Sequence, residues 1–279
     1  MRLLVAYRGI PQSPGWATGD SIVRAARMLG HDVATHGVYY QTTTPLPDHV
    51  SPDFKPDLVI HLECNDDGPQ YDLRRHKARR VYWEFDTARH VDWTRNFREV
   101  MKPDYVCMAN AALALEFGAG YLPYAIDPAL FGPRLGLLPR AGAACIGSPF
   151  GPRVEFCRAA GVELRSGIYR EDYVEALAHL AVSVHHHASG GAGLIVARPW
   201  ETMACGTCLL AEDDPTLRLH FVPGIHYVPF TSAEECRDLL ALLLEHAEER
   251  EHIAAAGFTL VHREHTYVHR VATIIRECT

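Results

Sequence analysis

Residues 198–211 read RPWETMACGTCLLA, and this stretch contains one helix-to-strand transition. Residues 198–205 predict a helix, residues 207–211 predict an apolar strand, and a turn of small residues joins them. Continuous apolar strands between helical segments are typical of parallel strands that helices cover on both faces. The stretch therefore predicts an α/β fold, and the rest of the chain can be examined for the same alternation.

The alternation continues in both directions from this stretch. Further strands are predicted at 143–147, 162–165, 182–187 and 227–230, and further helices at 152–160, 171–180, 232–246 and 248–257. In the first half, strands are predicted at 2–10, 31–38, 57–64, 80–85 and 105–109, with a helix from about 18. A linker rich in Pro and Gly at 132–139 separates the halves. We therefore expect two doubly wound, Rossmann-like domains facing each other across a cleft, at 1–134 and 135–262.

Composition narrows the class of protein. The 279 residues are 48% hydrophobic and 22% charged, which excludes a disordered chain. No apolar run approaches the roughly 18 residues of a membrane-spanning helix. Eight cysteines, most of them within apolar runs, predict reduced, buried thiols and a cytoplasmic location. The net charge of −7 argues against a uniformly basic nucleic-acid binder.

The stretch at 198–207 resembles the donor-site segment of GT-B glycosyltransferases, in which a Glu lies one turn before an A-C-G-T turn. His265-Thr266-Tyr267 with Arg270 is similar to the tail of the CgeB-like branch of the glycosyl transferases group 1 family. The resemblance spans nearly the whole chain. It implies sugar transfer from a nucleotide-diphosphate sugar, with the acceptor in the first domain and the donor in the second. It also implies a C-terminal helix, residues 263–279, that returns to the first domain.

The resemblance also implies which residues bind the donor. A carboxylate on the first turn of a helix can accept hydrogen bonds from ribose hydroxyls, which suits Glu201. The diphosphate requires cations or helix amides, because GT-B enzymes generally use no metal, so we expect no metal site and no cofactor beyond the donor. The remaining expected donor contacts come from two cations, loop residues and neighbouring side chains: Arg198, Arg153, Gly147, Ser148, His185, Gly191, Gly193 and Thr202.

One departure bears on the mechanism. Many retaining members carry a second Glu eight residues before the first, and here that position is Gly193. An inverting transfer therefore stays open, and it requires a general base near the acceptor hydroxyl. Asp86 and Glu84 at the end of a predicted strand, and Asp20 in the glycine loop at a helix start, are the three candidates.

Two polar clusters have simpler explanations than a metal site. Along a strand, alternation directs the middle residue of His185-His186-His187 to the opposite face, so all three cannot converge on one ion. Asp213-Asp214 is expected to cap a helix that begins near Pro215. Cys205 and Cys208 form a single C-x-x-C, which is weak evidence for zinc.

Residues 74–102 hold nine basic and four acidic side chains, interleaved with aromatic residues. This pattern is typical either of a solvated helix face around a buried strand or of a platform for an anionic acceptor. Nucleic acid carrying a hydroxymethylated base is one acceptor that fits, with the base flipped out of its duplex to reach Asp86. Its phosphates would dock on the cations at the start of the stretch, namely Arg74, Arg75, Lys77, Arg79 and Arg80. The predicted acceptor contacts are Gly15, Trp16, Trp83, Arg74 and Arg75.

Two other classes of function compete with sugar transfer. One is a sugar-nucleotide epimerase of the same fold, which needs no external acceptor. The other is a sugar-nucleotide-binding protein without transfer activity, since the Glu expected eight residues before Glu201 is absent.

Overall fold

The computed structural model describes residues 1–62, 74, 76–85, 91–132, 140–187 and 196–278. The chain divides into two compact units, and it passes from the first to the second after Pro123. Ile126 belongs to the second unit because its amide donates to the His265 carbonyl at 2.9 Å and its backbone pairs with Thr266. The division at 123 thus lies ahead of the Pro- and Gly-rich linker that the sequence suggested as the boundary.

The first unit is built around a six-stranded parallel sheet in the order β2-β1-β3-β4-β5-β6. Its strands are β1 Arg2–Ala6, β2 Asp32–His36, β3 Leu58–Leu62, β4 Arg79–Glu84, β5 Tyr105–Met108 and β6 Gly120–Tyr121. Its helices are α1 Thr18–Met28, α2 Val91–Met101, α3 Ala111–Glu116 and, from the end of the chain, α10 Tyr267–Cys278. Residues 3–6 of β1 are fully buried, as expected for a strand covered on both faces.

The second unit is built around a five-stranded parallel sheet in the order β11-β10-β9-β7-β8. Its strands are β7 Ala143–Ile146, β8 Glu163–Arg165, β9 Val182–His185, β10 Cys208–Glu212 and β11 Val228–Phe230. Its helices are α4 Gly151–Ala160, α5 Arg170–His179, α6 Arg198–Ala204, α7 Pro215–Arg218, α8 Ala233–Glu245 and α9 Ala247–Glu264. The prediction of doubly wound α/β units is confirmed.

The sequence interpretation left out three elements of the first unit. Helix α2 lies inside the basic stretch, where the charges obscured the apolar side that packs Phe97 and Met101 beside Tyr82. Helix α3 has only six residues, with Asn110 accepting from the Leu113 amide at its start, and β6 has only two. Helix α9 continues to Glu264 rather than stopping near 257.

Both sheets have a topological switch point, where the connections from neighbouring strands lead in opposite directions. In the first sheet it lies between β1 and β3, and in the second between β7 and β9. Ligands of open α/β sheets bind outside the carboxyl ends of the strands at such points. Among the described residues, no helix combines the length and apolar character needed to cross a lipid bilayer.

Candidate active site

Helix α6 holds the strongest sequence signal in a defined local structure. Gly206 adopts a positive φ of 69°, its amide donates to the Met203 carbonyl at 2.8 Å, and the Thr207 amide donates to the Thr202 carbonyl at 3.3 Å. These two bonds satisfy carbonyls at the end of the helix and form a Schellman cap. The A-C-G-T turn is therefore the junction that ends α6 and begins β10. Because α6 follows β9 in a parallel sheet, its first turn lies at the carboxyl edge.

Glu201, on the first turn of α6, is held by a tyrosine. The Tyr173 hydroxyl, from α5, donates to Oε2 of Glu201 at 2.9 Å, and both side chains are half-buried. Burial raises the pKa of Glu201, while the hydrogen bond from Tyr173 and the charge of Arg198 oppose that rise. Burial, and then the nearby Glu201 charge, hold the pKa of Tyr173 well above its usual range. The pair therefore consists of a phenol donor and a carboxylate acceptor.

Two guanidinium groups lie against Gly147, the residue that follows β7. A Cβ atom on Gly147 would lie 2.8 Å from Nη1 of Arg153 and 3.4 Å from Cζ of Arg198. In the described part of the chain neither arginine forms an ion pair with a carboxylate, and burial lowers the pKa of Arg153. The switch point of the second sheet thus concentrates positive charge that an anion can neutralise.

The two arginines differ in exposure. Arg153 is 1% exposed, and it donates to the Ser148 carbonyl at 3.1 Å and to the His186 carbonyl at 3.0 Å. These carbonyls belong to the segments that follow β7 and β9, so Arg153 ties the two sides of the switch point together. Arg198 is half-buried and makes no comparable pair of bonds among the described residues. Arg198 is therefore the more accessible of the two cations, and Arg153 is the one enclosed by the loops.

The three consecutive histidines take separate positions. His185 and His187 are buried with their rings in edge contact at 5.4 Å, whereas His186 stacks on Phe156 at 4.2 Å. Burial, then the charges of His187 and Arg198, hold the pKa of His185 well below its usual range, so this ring is neutral. No group of three or more metal-ligating side chains occurs in the described part of the chain.

Asp214 has the capping role that the sequence suggested. Its side chain accepts from the Thr216 amide at 2.6 Å at the start of α7, and its other oxygen lies 3.3 Å from Nε2 of His187. Asp213 instead forms an ion pair with Arg218 at 2.7 Å. The cap prediction is confirmed.

The structure also shows the surroundings of Thr202 and Ser148, two further residues predicted to contact the donor. Thr202 is buried, and its hydroxyl faces Ser183 of β9, 3.5 Å away inside the unit. Ser148 lies on the loop at the switch point, where its side chain is exposed and its carbonyl binds Arg153. Gly191 and Gly193 lie outside the described residues.

In the first unit, Asp20 is already engaged. Its Oδ1 accepts from the Tyr7 hydroxyl at 2.6 Å, and its Oδ2 accepts from the Ala17 amide at 3.0 Å, which caps α1. Gly19 is required here, because a Cβ atom would overlap the ring of Tyr7. Gly15 has a φ of 82° on the same loop, and Trp16 beside it is half-buried. Asp20 therefore lies near the loop surface, but both of its carboxylate oxygens already accept hydrogen bonds at the start of α1.

Two candidates on β4 are buried inside the first unit. Glu84 is 0% exposed and accepts from the Thr94 hydroxyl of α2 at 3.0 Å, so it cannot touch an acceptor in this conformation. Trp83 is also 0% exposed and donates from its indole nitrogen to the Leu122 carbonyl at 3.1 Å. Both side chains are therefore enclosed by their own unit, away from the surface at which an acceptor would bind. Asp86 lies outside the described residues.

Among the described residues of the basic stretch, Arg79 and Arg80 lie at the opposite end of β4 from Glu84. Arg79 and Arg80 begin β4, whereas Glu84 ends it, and five steps of about 3.3 Å separate the two ends by about 17 Å. Arg79 donates to the Cys278 carbonyl at 2.7 Å, and Arg80 pairs with Asp104. Arg74 is exposed and reaches the Val100 carbonyl, while Arg75 lies outside the described residues. The model in which these cations dock phosphates while a base reaches Asp86 is not supported.

The sequence interpretation missed Tyr173, the residue whose hydroxyl donates to Glu201. It is 28 residues from Glu201 along the chain and lies on a different helix. Nothing in the local pattern around Tyr173 marks it, since a tyrosine on an amphipathic helix is ordinarily a packing residue. Only the tertiary fold, in which α5 leads into β9 and α6 leads out of it, brings Tyr173 to the carboxylate.

Comparison with known proteins agrees with this architecture. The Anabaena protein Alr3699/HepE, in complex with UDP and glucose, superimposes with a TM-score of 0.66 at 12% identity over 99% of both chains. AviGT4, a glycosyltransferase of avilamycin A biosynthesis, gives 0.65 at 13% identity over 99% of this chain and 96% of its own. T4 phage BGT with its UDP-glucose substrate has a TM-score of 0.61 at 11% identity, over 100% of this chain and 99% of its own. The complex of T4 phage BGT with UDP and Mn²⁺ has a TM-score of 0.62. No curated protein matches the sequence significantly.

At these identities the structural likeness establishes the fold, which is GT-B. Family membership comes from the sequence itself: the family described as glycosyl transferase-like matches residues 131–276, which include α6 and the whole cluster around Glu201. That match covers more than half of the chain. The protein therefore belongs to the glycosyl transferase-like family and is a glycosyltransferase of GT-B fold.

Proposed function

We propose that the protein transfers a sugar from a nucleotide-diphosphate sugar to an acceptor hydroxyl, without a metal ion. The observation that carries this proposal is the cluster of Glu201, Tyr173, Arg198 and Gly147 at the switch point of the second sheet. It combines a carboxylate suited to hydroxyl groups with positive charge suited to phosphate. Bound UDP or UDP-glucose in neighbours of the same fold supports a nucleotide donor.

In this proposal Glu201 anchors the ribose. A carboxylate is an acceptor only, so it suits a vicinal diol, whose two hydroxyls can both donate. Oε2 already accepts from Tyr173, which leaves Oε1 and the second lone pair of Oε2 for the ribose. A hydrogen bond to a charged group contributes about 1.5–3 kcal/mol. Glu201 therefore supplies a large part of the donor affinity.

Arg198 is proposed to neutralise the diphosphate. Its half-buried guanidinium lies against the Gly147 backbone, so phosphate oxygens can approach both the cation and the loop. Arg153 adds a second positive charge from a buried position, and its two hydrogen bonds hold the Ser148 and His186 carbonyls in place. Two cations at one diphosphate are the basis for proposing that no metal is needed. We expect transfer to retain most of its rate in excess chelator, and a complete loss restored by Mn²⁺ would contradict this.

The acceptor hydroxyl is proposed to bind the first unit, where a general base removes its proton in an inverting transfer. Asp86 follows the carboxyl end of β4 in sequence and remains our first candidate, with Asp20 second. Asp20 could accept a proton only by yielding one of its present bonds, to Tyr7 or to the Ala17 amide. A hydroxymethylated nucleic acid is retained as one acceptor for the assay.

The test is a donor screen followed by product analysis. Purified protein is incubated with common nucleotide-diphosphate sugars, with and without acceptors that include hydroxymethylated DNA and simple sugars. Acceptor-dependent release of the nucleoside diphosphate supports the proposal. An isomeric nucleotide sugar formed without acceptor would indicate an epimerase, and binding without turnover would indicate a binding protein. Glu201→Gln should abolish the reaction, whereas Glu234→Gln, on the exposed first turn of α8, should not.

A further inference from the structure

The Tyr173–Glu201 contact has the geometry of a restraint. Tyr173 lies on the first turn of α5, and Glu201 lies on the first turn of α6. The phenol oxygen is 2.9 Å from Oε2, and the ring of Tyr173 is itself packed edge-on against Phe131 at 6.4 Å. A half-buried ring with an aromatic neighbour has few rotamers, so its hydroxyl defines one position for the carboxylate oxygen.

A carboxylate needs such a restraint to recognise a diol. Rotation about the last torsion of a Glu side chain is broad, so a free carboxylate presents its lone pairs in many directions. Anchoring one oxygen fixes the plane of the group and the direction of the other oxygen. The cost of ordering Glu201 is then met during folding rather than during ligand binding.

We propose that Tyr173 is a positioning residue that orients the Glu201 carboxylate toward the ribose hydroxyls and thereby sets the preference for ribonucleotides over deoxyribonucleotides. This proposal rests on the proposed function, because it assumes that Glu201 binds ribose. Tyr173 does not itself contact the nucleotide in this account. Its effect is transmitted through one hydrogen bond.

The same bond has a consequence for pH dependence. Three influences act on the pKa of Glu201. Burial raises it, whereas the Tyr173 hydroxyl from α5 and the charge of Arg198 on α6 itself lower it. Cys205 lies near Tyr173 as a further titratable group and is buried. Glu201 offers two charged acceptor oxygens to the ribose only when it is ionised, so binding weakens as pH falls through its pKa. Removal of the Tyr173 hydroxyl raises the pKa of Glu201 further. The acid limb of binding, which is the pH range in which affinity falls on acidification, therefore moves to higher pH.

The experiment measures UDP and 2′-deoxy-UDP binding by calorimetry across pH for four proteins: wild type, Tyr173→Phe, Glu201→Gln and the double variant. For Tyr173→Phe we expect about tenfold weaker UDP binding, which is about 1.4 kcal/mol, with little change for 2′-deoxy-UDP. Its acid limb should lie at higher pH than that of wild type. In the Glu201→Gln background the same change should have almost no further effect. Tyr169→Phe is the matched control, because Tyr169 precedes the same helix and is 69% exposed.

The outcomes separate the two proposals. If Glu201→Gln binds UDP like wild type, the ribose assignment fails, and the positioning role fails with it. If Glu201→Gln loses binding but Tyr173→Phe keeps wild-type affinity, selectivity and acid limb, only the positioning role is overturned. Equal weakening for both nucleotides without a shift of the acid limb would mean that Tyr173 only supports the packing of α5, which also overturns it.

A second measurement needs no change at Tyr173. In protein with ¹³C-labelled tyrosine, the phenol carbon of Tyr173 should titrate at lower pH in Glu201→Gln than in wild type, because the carboxylate charge and hydrogen bond raise the pKa of Tyr173. An unchanged titration would show that the two groups do not interact in solution.

Discussion

The two sheets place different chemistry at equivalent points of the same architecture. At the β7/β9 switch point, Arg153 and Arg198 lie against Gly147 and share no carboxylate among the described residues. At the β1/β3 switch point, Asp20 accepts from both Tyr7 and the Ala17 amide. Burying a charge without an ion-pair partner lowers the stability of the fold unless a ligand of opposite charge binds to it. A carboxylate that accepts hydrogen bonds within its own unit stabilises that unit by itself. The second switch point therefore holds two cations without an ion-paired carboxylate among the described residues, whereas the carboxylate at the first is satisfied within its own unit.

The largest expected effect is at Glu201. Replacement by Ala removes the acceptor for the ribose, so UDP binding should weaken by about 2–4 kcal/mol while the protein stays folded. Calorimetric titration gives the affinity, and thermal melting monitors the fold. Unchanged affinity would remove the basis for a nucleotide site in the second unit.

Gly147 offers a sharper test, because the chain supplies its control. In Gly147→Ala the new Cβ would lie 2.8 Å from Arg153 Nη1, so the guanidinium or the loop must move. Such overpacking costs about 1–3 kcal/mol, and we expect donor KM to rise about tenfold. Gly151→Ala, four residues later, meets nothing within 4 Å and should behave like wild type. Similar kinetics for the two variants would mean that the loop geometry at Gly147 does not matter.

In the first unit, Tyr7→Phe should affect stability rather than donor binding. Loss of the bond to Asp20 should lower the free energy of unfolding by about 0.5–1.5 kcal/mol at neutral pH. Burial and Asp20 raise the pKa of Tyr7 in the folded state, so its contribution is complete below about pH 10, the unfolded value, and decreases above it. Urea denaturation at pH 7 and above pH 10 should therefore show a difference that narrows. A loss of UDP affinity in this variant would contradict the separation of roles between the units.

The smallest effect is expected for the basic residues near the start of β4. Because Arg74 and Lys77 precede the strand and Glu84 ends it, Arg74→Ala with Lys77→Ala should leave the transfer rate within about twofold at low salt. Rates measured over a range of salt concentrations provide the check. A steep salt dependence that disappears in this variant would restore the anionic-acceptor model.

The local pattern was sufficient wherever a feature depends on neighbouring residues. Alternating apolar strands and helices predicted both doubly wound units, since burial on two faces requires continuous apolar runs. The A-C-G-T turn and the Asp214 cap were likewise readable, because a helix end is satisfied by residues within a few positions. Short α3 and β6 lay below the length at which a period can be recognised.

What the sequence by itself determined is thus the fold class, the family and the position of Glu201. Only the tertiary structure decided how the side chains are used. It buried Trp83 and Glu84, turned Thr202 toward Ser183, divided the cations of the basic stretch and brought Tyr173 to Glu201. The physical reason is that exposure and hydrogen-bond partners depend on which elements pack together. Residues such as 173 and 201, 28 positions apart, share no local pattern that could record their contact.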